Sequence, residues 1–187
     1  MNVEVYYAIY PLKNGKPKWK RSRSFLKNFC IAFKMIIGGS TGRTAQYVES
    51  GAKDVNGSNV NIVDSTTASY RSFGRLPQIH VGVKDNPSPP MPDDYKLEQE
   101  IAAFSASSTP AEGAGVTVSG NQSLFDYVAI ATFTEDTIVT EIGLSTLLLY
   151  SANAETRLML VRDVLSPPIT IPANTPYVIR YRFIMEA

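Results

Sequence analysis

The chain has 187 residues, enough to bury a sizeable core without disulfides or metal, and its 44% hydrophobic and 19% charged content excludes disorder throughout. A single cysteine, Cys30, excludes both an internal disulfide and a metal site built from several cysteines. The net charge of +1 conceals a polarity: residues 1–53 hold ten Lys and Arg against Glu4 and Glu49, giving +8, and the remainder holds eight against fifteen acids, giving −7. Such a polarity suits head-to-tail contact between copies as well as attraction of an external polyanion.

Met1 to Tyr10 alternates loosely and is β-branched and aromatic enough for an edge strand. It lacks a basic start followed by a long apolar run, so neither a secretory signal nor a membrane span is expected. Pro11, Asn14, Gly15 and Pro17 then form a turn-rich hinge. From Ser24 to Ile37 the apolar residues Phe25, Phe29, Phe33 and Ile37 recur every fourth position, with Lys20, Arg23, Lys27 and Lys34 opposite. This spacing predicts an amphipathic helix over 24–37, capped by Ser22 or Ser24 and ended by Gly38-Gly39.

Gly38 to Ala52 reads as a loop, and Asp54-Val-Asn-Gly57 as the tight turn of a hairpin leading into a strand at Asn59 to Val63. Asp64 to Pro77 is polar and irregular, Gln78 to Val83 alternates as a strand, and the prolines between Asn86 and Pro92 forbid a regular element. Asp93 is placed to cap a short second helix over 94–101, with Leu97 and Ile101 on one face. Strands follow at Val116 to Ser119, Leu124 to Thr134, Ile138 to Leu144, Leu147 to Ser151, Leu158 to Leu165, Pro167 to Pro172 and Tyr177 to Met185. In the last, Tyr177, Ile179, Tyr181, Phe183 and Met185 share one side, and Arg180 and Arg182 the other. The expected fold is mainly β: an antiparallel β-sandwich or jelly roll with one N-terminal amphipathic helix and a short second helix. Residues 1–23 read as a basic strand and arm, and 24–187 as a single domain.

Chemistry-bearing motifs are sparse. The only histidine, His80, sits between Ile79 and Val81 in a strand, where a histidine is usually structural. Asp93-Asp94 and Glu135-Asp136 lie beside a cap and a turn that would occupy their oxygens. Asp54, Asn56, Asn59 and Asn61 superficially evoke calcium ligands, but no glutamate stands at the twelfth loop position counted from Asp54. No glycine cluster has phosphate-loop spacing. No catalytic residue, cofactor or metal is therefore expected, and the protein is read as a non-enzyme. The strongest local signal is basic: Lys13, Lys16, Lys18, Lys20, Arg21, Arg23, Lys27 and Lys34 occur with no acid between Pro11 and Lys34, and Trp19 lies among them. Such a run fits a solvated helix face or a contact to acidic neighbours or, alternatively, a nucleic-acid backbone. The sandwich and its tyrosines leave a receptor- or carbohydrate-binding module as a third reading.

Several segments taken in order also carry a resemblance: Ser22-Arg-Ser-Phe-Leu-Lys-Asn-Phe29, Asp54-Val-Asn-Gly57, Ile79-His-Val-Gly-Val83, Asp93-Asp94-Tyr95-Lys96-Leu97, Thr140-Glu-Ile-Gly-Leu144 and Arg162-Asp-Val-Leu-Ser-Pro-Pro-Ile-Thr-Ile171. Over residues 20–185 this order resembles small structural proteins of the tail, adaptor or head-appendage kind from virus and prophage genomes, viruses of archaea included. The Phe25, Phe29, Phe33 and Ile37 stripe is read as packing on the sandwich or on a neighbouring copy, and the resemblance implies a virion component without enzyme activity, present in several copies and assembling with itself and other virion proteins. It places Arg162-Asp163 and the Ser166-Pro167-Pro168 bend at strand ends. The basic Lys13 to Arg23 leader and the long Gly38 to Pro77 connection depart from the simplest versions.

Overall fold

The computed structural model describes residues 2–22, 24–31, 47–64, 75–109, 117–151 and 154–186. Twelve strands make three antiparallel sheets among these residues: β1 Asn2–Pro11, β2 Lys20–Arg21, β3 Tyr47–Lys53, β4 Asn59–Asp64, β5 Arg75–Gly82, β6 Glu100–Ser105, β7 Ser107–Thr109, β8 Thr117–Ser119, β9 Gln122–Ala131, β10 Thr137–Ser151, β11 Ala154–Ile171 and β12 Tyr177–Glu186. The first sheet runs β2-β1-β12-β9-β7, with β8 also on β9; the second runs β11-β10-β5-β6; β3 and β4 form a hairpin.

Alternation decides which side of each sheet is buried. In β12, Ile179, Tyr181 and Phe183 enter the core, where they meet Val5 and Tyr7 of β1 and Ala129 and Ala131 of β9. From the second sheet come Ile79 and Val81 of β5, Ile142 and Leu144 of β10, and Leu158, Val161 and Ile171 of β11. Side chains of both sheets thus fill one core, the arrangement of a sandwich. Chain termini share this core, because β1 pairs with β12 from Asn2↔Glu186 to Pro11↔Tyr177.

The helical expectations need correction. Only residues 27–31 are helical among those described, and Phe33, Lys34 and Ile37 lie outside them. Ahead of that turn the chain is extended: Phe25 bridges Val161, and the Leu26 N–H donates to the Leu160 carbonyl at 3.1 Å. The free edge of β11 satisfies this backbone, and an edge pairing here overrides the helical period. No second helix forms over 94–101. Residues 94–97 are irregular, 98–99 make a turn, and β6 begins at Glu100, in register with Gly82 of β5. Leu97 is buried while Ile101 is exposed, so the two do not share a face.

The expected hairpin is present, with β3 and β4 joined through Asp54, whose Oδ1 accepts the N–H groups of Asn56 at 2.9 Å and Ser58 at 2.8 Å. Gly57 stands at φ 88°, where a side chain would be strained and would crowd the Tyr95 ring. In β11 the Ser166-Pro167-Pro168 bend interrupts pairing without ending the strand. Register passes from Glu141↔Val164 directly to Val139↔Ile169, leaving the prolines in a bulge where no ladder N–H is required.

Candidate functional site

After β1 the chain turns at Asn14 and returns across the outer side of the first sheet. The Leu12 N–H is held by the Pro176 carbonyl at 2.9 Å, and Lys20 and Arg21 pair with Tyr7 and Tyr6. Beneath this arm lie Arg180 and Arg182, the outward residues of β12. Both converge on Asp126 of β9, which is fully buried; Arg182 donates to its two oxygens at 2.8 and 2.9 Å, and Arg180 also pairs with it. The bond to Asp126 holds the Arg182 guanidinium above its ordinary pKa despite desolvation. Trp19 lies over Arg182, 4.3 Å from ring centroid to guanidinium carbon, and over Arg180 at 5.7 Å. Stacking of this kind contributes roughly 0.5–2 kcal/mol and fixes the arm to the sheet.

The structure brings most of the basic residues to one exposed stretch. Arg21 pairs with Glu4 at 2.6 Å, Lys20 Nζ donates to the Ser166 carbonyl at 3.3 Å, and Lys27 lies 3.5 Å from Asp93. Lys13, Lys16 and Lys18 are exposed without an acidic partner among the described residues. Arg23 and Lys34 lie outside those residues. Of the apolar stripe, Phe25 and Phe29 touch each other at 4.7 Å between centroids, and Phe29 stacks on Phe183 at 6.0 Å, so both pack against the core. Tyr7 and Tyr181 are core residues too. Burial pushes the Tyr7 hydroxyl up to about 12 and that of Tyr181 well above its usual value, Asp163 adding to both; Tyr181 donates to Asp163 Oδ2 at 3.2 Å.

His80 has neighbours that its sequence context does not reveal. Its Nε2 lies 2.6 Å from Ser145 Oγ on β10, and its Nδ1 lies 2.9 Å from Glu100 Oε1 on β6. The second contact misses the ring N–H direction, leaving Nδ1 without a formed hydrogen bond, so the attraction there is electrostatic. Arg157 Nη1 donates to the same Ser145 oxygen at 3.1 Å. These separations match a nucleophile, a base and an orienting carboxylate. However, Ser145 is 0% exposed and His80 is also buried, so the set ties β5, β6, β10 and β11 together in the interior, and only Glu100 of the three reaches the surface.

A further buried polar assembly centres on Arg162, which is 2% exposed in the middle of β11 rather than at a strand end. Nε donates to Glu141 Oε2 at 2.8 Å, Nη1 to Asp94 Oδ2 at 2.6 Å, and Nη2 to Glu98 Oε1 at 3.1 Å and the Ser88 carbonyl at 3.2 Å. Burial alone would lower its pKa; the bonds to Asp94 and Glu141 outweigh burial and raise it. The Ser88 N–H, donating at 2.7 Å, is the main reason that Glu98 titrates below the usual carboxylate range. Asp94, Glu98 and Ser88 all belong to the proline-rich connection over 84–99, which is thereby strapped across the second sheet. Leu97 presses beneath it onto Met159 and Leu26, where Gly82 and Gly143 give it room. An arginine inside Leu158-Met-Leu-Val-Arg162-Asp-Val-Leu165 was the available signal, since an arginine in an apolar strand needs carboxylate partners.

Beside the strap is a surface cavity of about 280 Å³, lined by Lys27, Lys53, Asn59, Pro92, Asp93 and Asp94. Its charges largely cancel: Lys27 faces Asp93, and Asp94 is held by Arg162. Among the described residues no group of three or more His, Cys, Asp or Glu is placed to hold a metal, and no helix is long and apolar enough to cross a membrane. Comparison with protein-family models, with curated proteins and with solved structures finds no match.

Proposed function

We propose that the protein is a structural subunit of a virus particle, of the tail, adaptor, portal-proximal or capsid-appendage kind, which acts by association into multimers and not by catalysis. Its place would be the virion, reached by assembly in the host cytoplasm. The observation that carries this reading is the outer edge of the first sheet. Strand β8 pairs only with β9 among the described strands, all three of its residues are exposed, and Val118 is 70% exposed. An edge of this kind offers unpaired N–H and C=O groups beside an apolar side chain, and a second β-edge satisfies both. Further exposed apolar residues at strand positions, Ile130 of β9 and Ile138 of β10, add area for contact between copies. The resemblance over residues 20–185 supports a virus particle as the setting.

Native mass spectrometry over about 1–50 μM tests the proposal. Multimers are expected, and Val118→Lys should shift the distribution to monomer while leaving the circular dichroism spectrum of the sandwich unchanged. A wild-type chain that stays monomeric throughout, or multimers indifferent to Val118→Lys, would refute edge association.

A further inference from the structure

The arm across the first sheet has two sides with opposite chemistry. Trp19 turns toward the sheet and lies on Arg182 and Arg180, while Lys16, Lys18 and Lys20 on alternate positions, with Lys13 before them, stand exposed. Only Lys20 of these lies in a strand, and fully extended chain would set alternate residues at most about 6.6 Å apart. That interval is close to the separation of successive phosphates along a nucleic-acid strand. The ridge is held at both ends by backbone bonds, from Leu12 to Pro176 and from Ser22 to Val5. The backbone that carries its cations is therefore in place before a ligand arrives, which lowers the ordering cost of binding.

We propose that residues 13–20 form a preset phosphate-tracking ridge for nucleic acid, indifferent to base sequence. The inference rests on the particle-subunit reading for its biological setting and names the partner that one face of that subunit would meet. Two observations favour nucleic acid over an acidic protein. The exposed residues are lysines, which are depleted from protein–protein interface cores, whereas tyrosine, tryptophan and arginine are enriched there. The single tryptophan in the stretch is already stacked on Arg182, leaving no free aromatic anchor and no stacking platform for bases. What remains is a row of point charges, suited to a regular polyanion and blind to base identity.

Fluorescence anisotropy of the full chain with labelled 20-nucleotide DNA, single-stranded and duplex, across 50–300 mM salt tests this. Four phosphate contacts predict a slope of log K against log salt near −3.6 for duplex and about −2.8 for single strands, with equal affinity for unrelated sequences. Lys16→Gln/Lys18→Gln should flatten the duplex slope by about 1.8 and weaken binding at least tenfold at the lowest salt, while Lys96→Gln should change nothing. Trp19→Ala should weaken binding severalfold at every salt concentration because the ridge loses its anchor. No binding at 50 mM salt, a slope untouched by the double substitution, an unaffected Trp19→Ala variant, or equal affinity for polyglutamate would each overturn the proposal. Oligomer mass is measured separately: a monomer that binds DNA in this way refutes the subunit reading alone, and multimers that ignore DNA refute the ridge alone.

Discussion

Replacing Arg162 by methionine removes the charge at the centre of the strap while keeping most of the side chain's volume. Glu141 is 0% exposed, its Oε1 has no hydrogen-bond partner, and its Oε2 receives Arg162 from two nitrogens, at 2.8 and 2.6 Å. Without the guanidinium a buried carboxylate is left uncompensated, a defect that costs about 3–5 kcal/mol. Asp94 and Glu98 add less, because each side chain is about a quarter to a third exposed, at 26% and 30%, and can rehydrate. For a chain of this size the loss corresponds to a fall in melting temperature of about 6–20 °C. Urea unfolding followed by circular dichroism gives the free energy, and proteolysis of residues 84–99 reports whether the strap lifts before the sandwich unfolds. Arg162→Met combined with Glu141→Leu removes both buried charges and should recover much of the loss, since an apolar pair in place of a buried ion pair is often neutral or stabilising. A single variant that loses less than about 1 kcal/mol, or a double variant no better than the single, would refute the account of Arg162 as the counter-charge on which the strap depends.

Gly143→Ala should destabilise by about 1–3 kcal/mol in the same assay, because the new methyl would stand 2.7 Å from Met159 Sδ and 3.2 Å from Leu97 Cδ2 inside a closed cluster; an unchanged midpoint would show that Leu97 does not need this glycine. Tyr7 and Tyr181 make the fold sensitive to alkali. Their hydroxyls titrate higher in the folded chain than the unfolded value near 10, so the stability they contribute is complete below that pH and is lost as pH rises above it, through about 12 for Tyr7 and through the raised folded value of Tyr181. Urea midpoints between pH 8 and 12 should fall across that window, and Tyr181→Phe should soften the fall; a flat profile to pH 12 would contradict the burial of these hydroxyls.

The strands with strict alternation were the legible part of the fold. Tyr177 to Met185 carries its buried face in the period-two pattern, and Asp54-Val-Asn-Gly57 carries its hairpin in turn chemistry. Elements whose conformation depends on a distant partner were not legible. Glu100–Ser105 and Ser107–Thr109 are rich in alanine and serine and are strands because β5 and β9 offer them edges. Ser24 to Leu26 has helical spacing, yet its backbone bonds go to β11. The break expected between Leu144 and Leu147 is instead a register shift within a continuous β10. As for the site, the basic run was readable from charge alone, whereas the Trp19 contact with Arg182, the Ser145 neighbour of His80 and the three carboxylates around Arg162 join residues 21 to 163 positions apart, separations on which local pattern is silent.

Both sheets are covered on their outer sides by irregular chain, and the two coverings use charge in opposite directions. The strap over 84–99 turns Asp94 and Glu98 inward to a buried arginine and sinks Leu97 onto glycine, so its ionic chemistry is enclosed in the fold. The arm places its aromatic residue inward, on arginines already matched by Asp126, and leaves Lys13, Lys16 and Lys18 in water. An enclosed ion pair contributes to conformational specificity at a considerable desolvation cost, whereas an unpaired surface lysine adds almost nothing to folding. Folding accounts for the Trp19 contact and the two backbone bonds, but gives no physical reason for the arm to carry a row of lysines on its outer side. The row makes sense as preparation for a ligand of opposite charge, and for that reason the arm, rather than the buried His80 or Arg162 assemblies, is the surface on which the protein's external chemistry is expected.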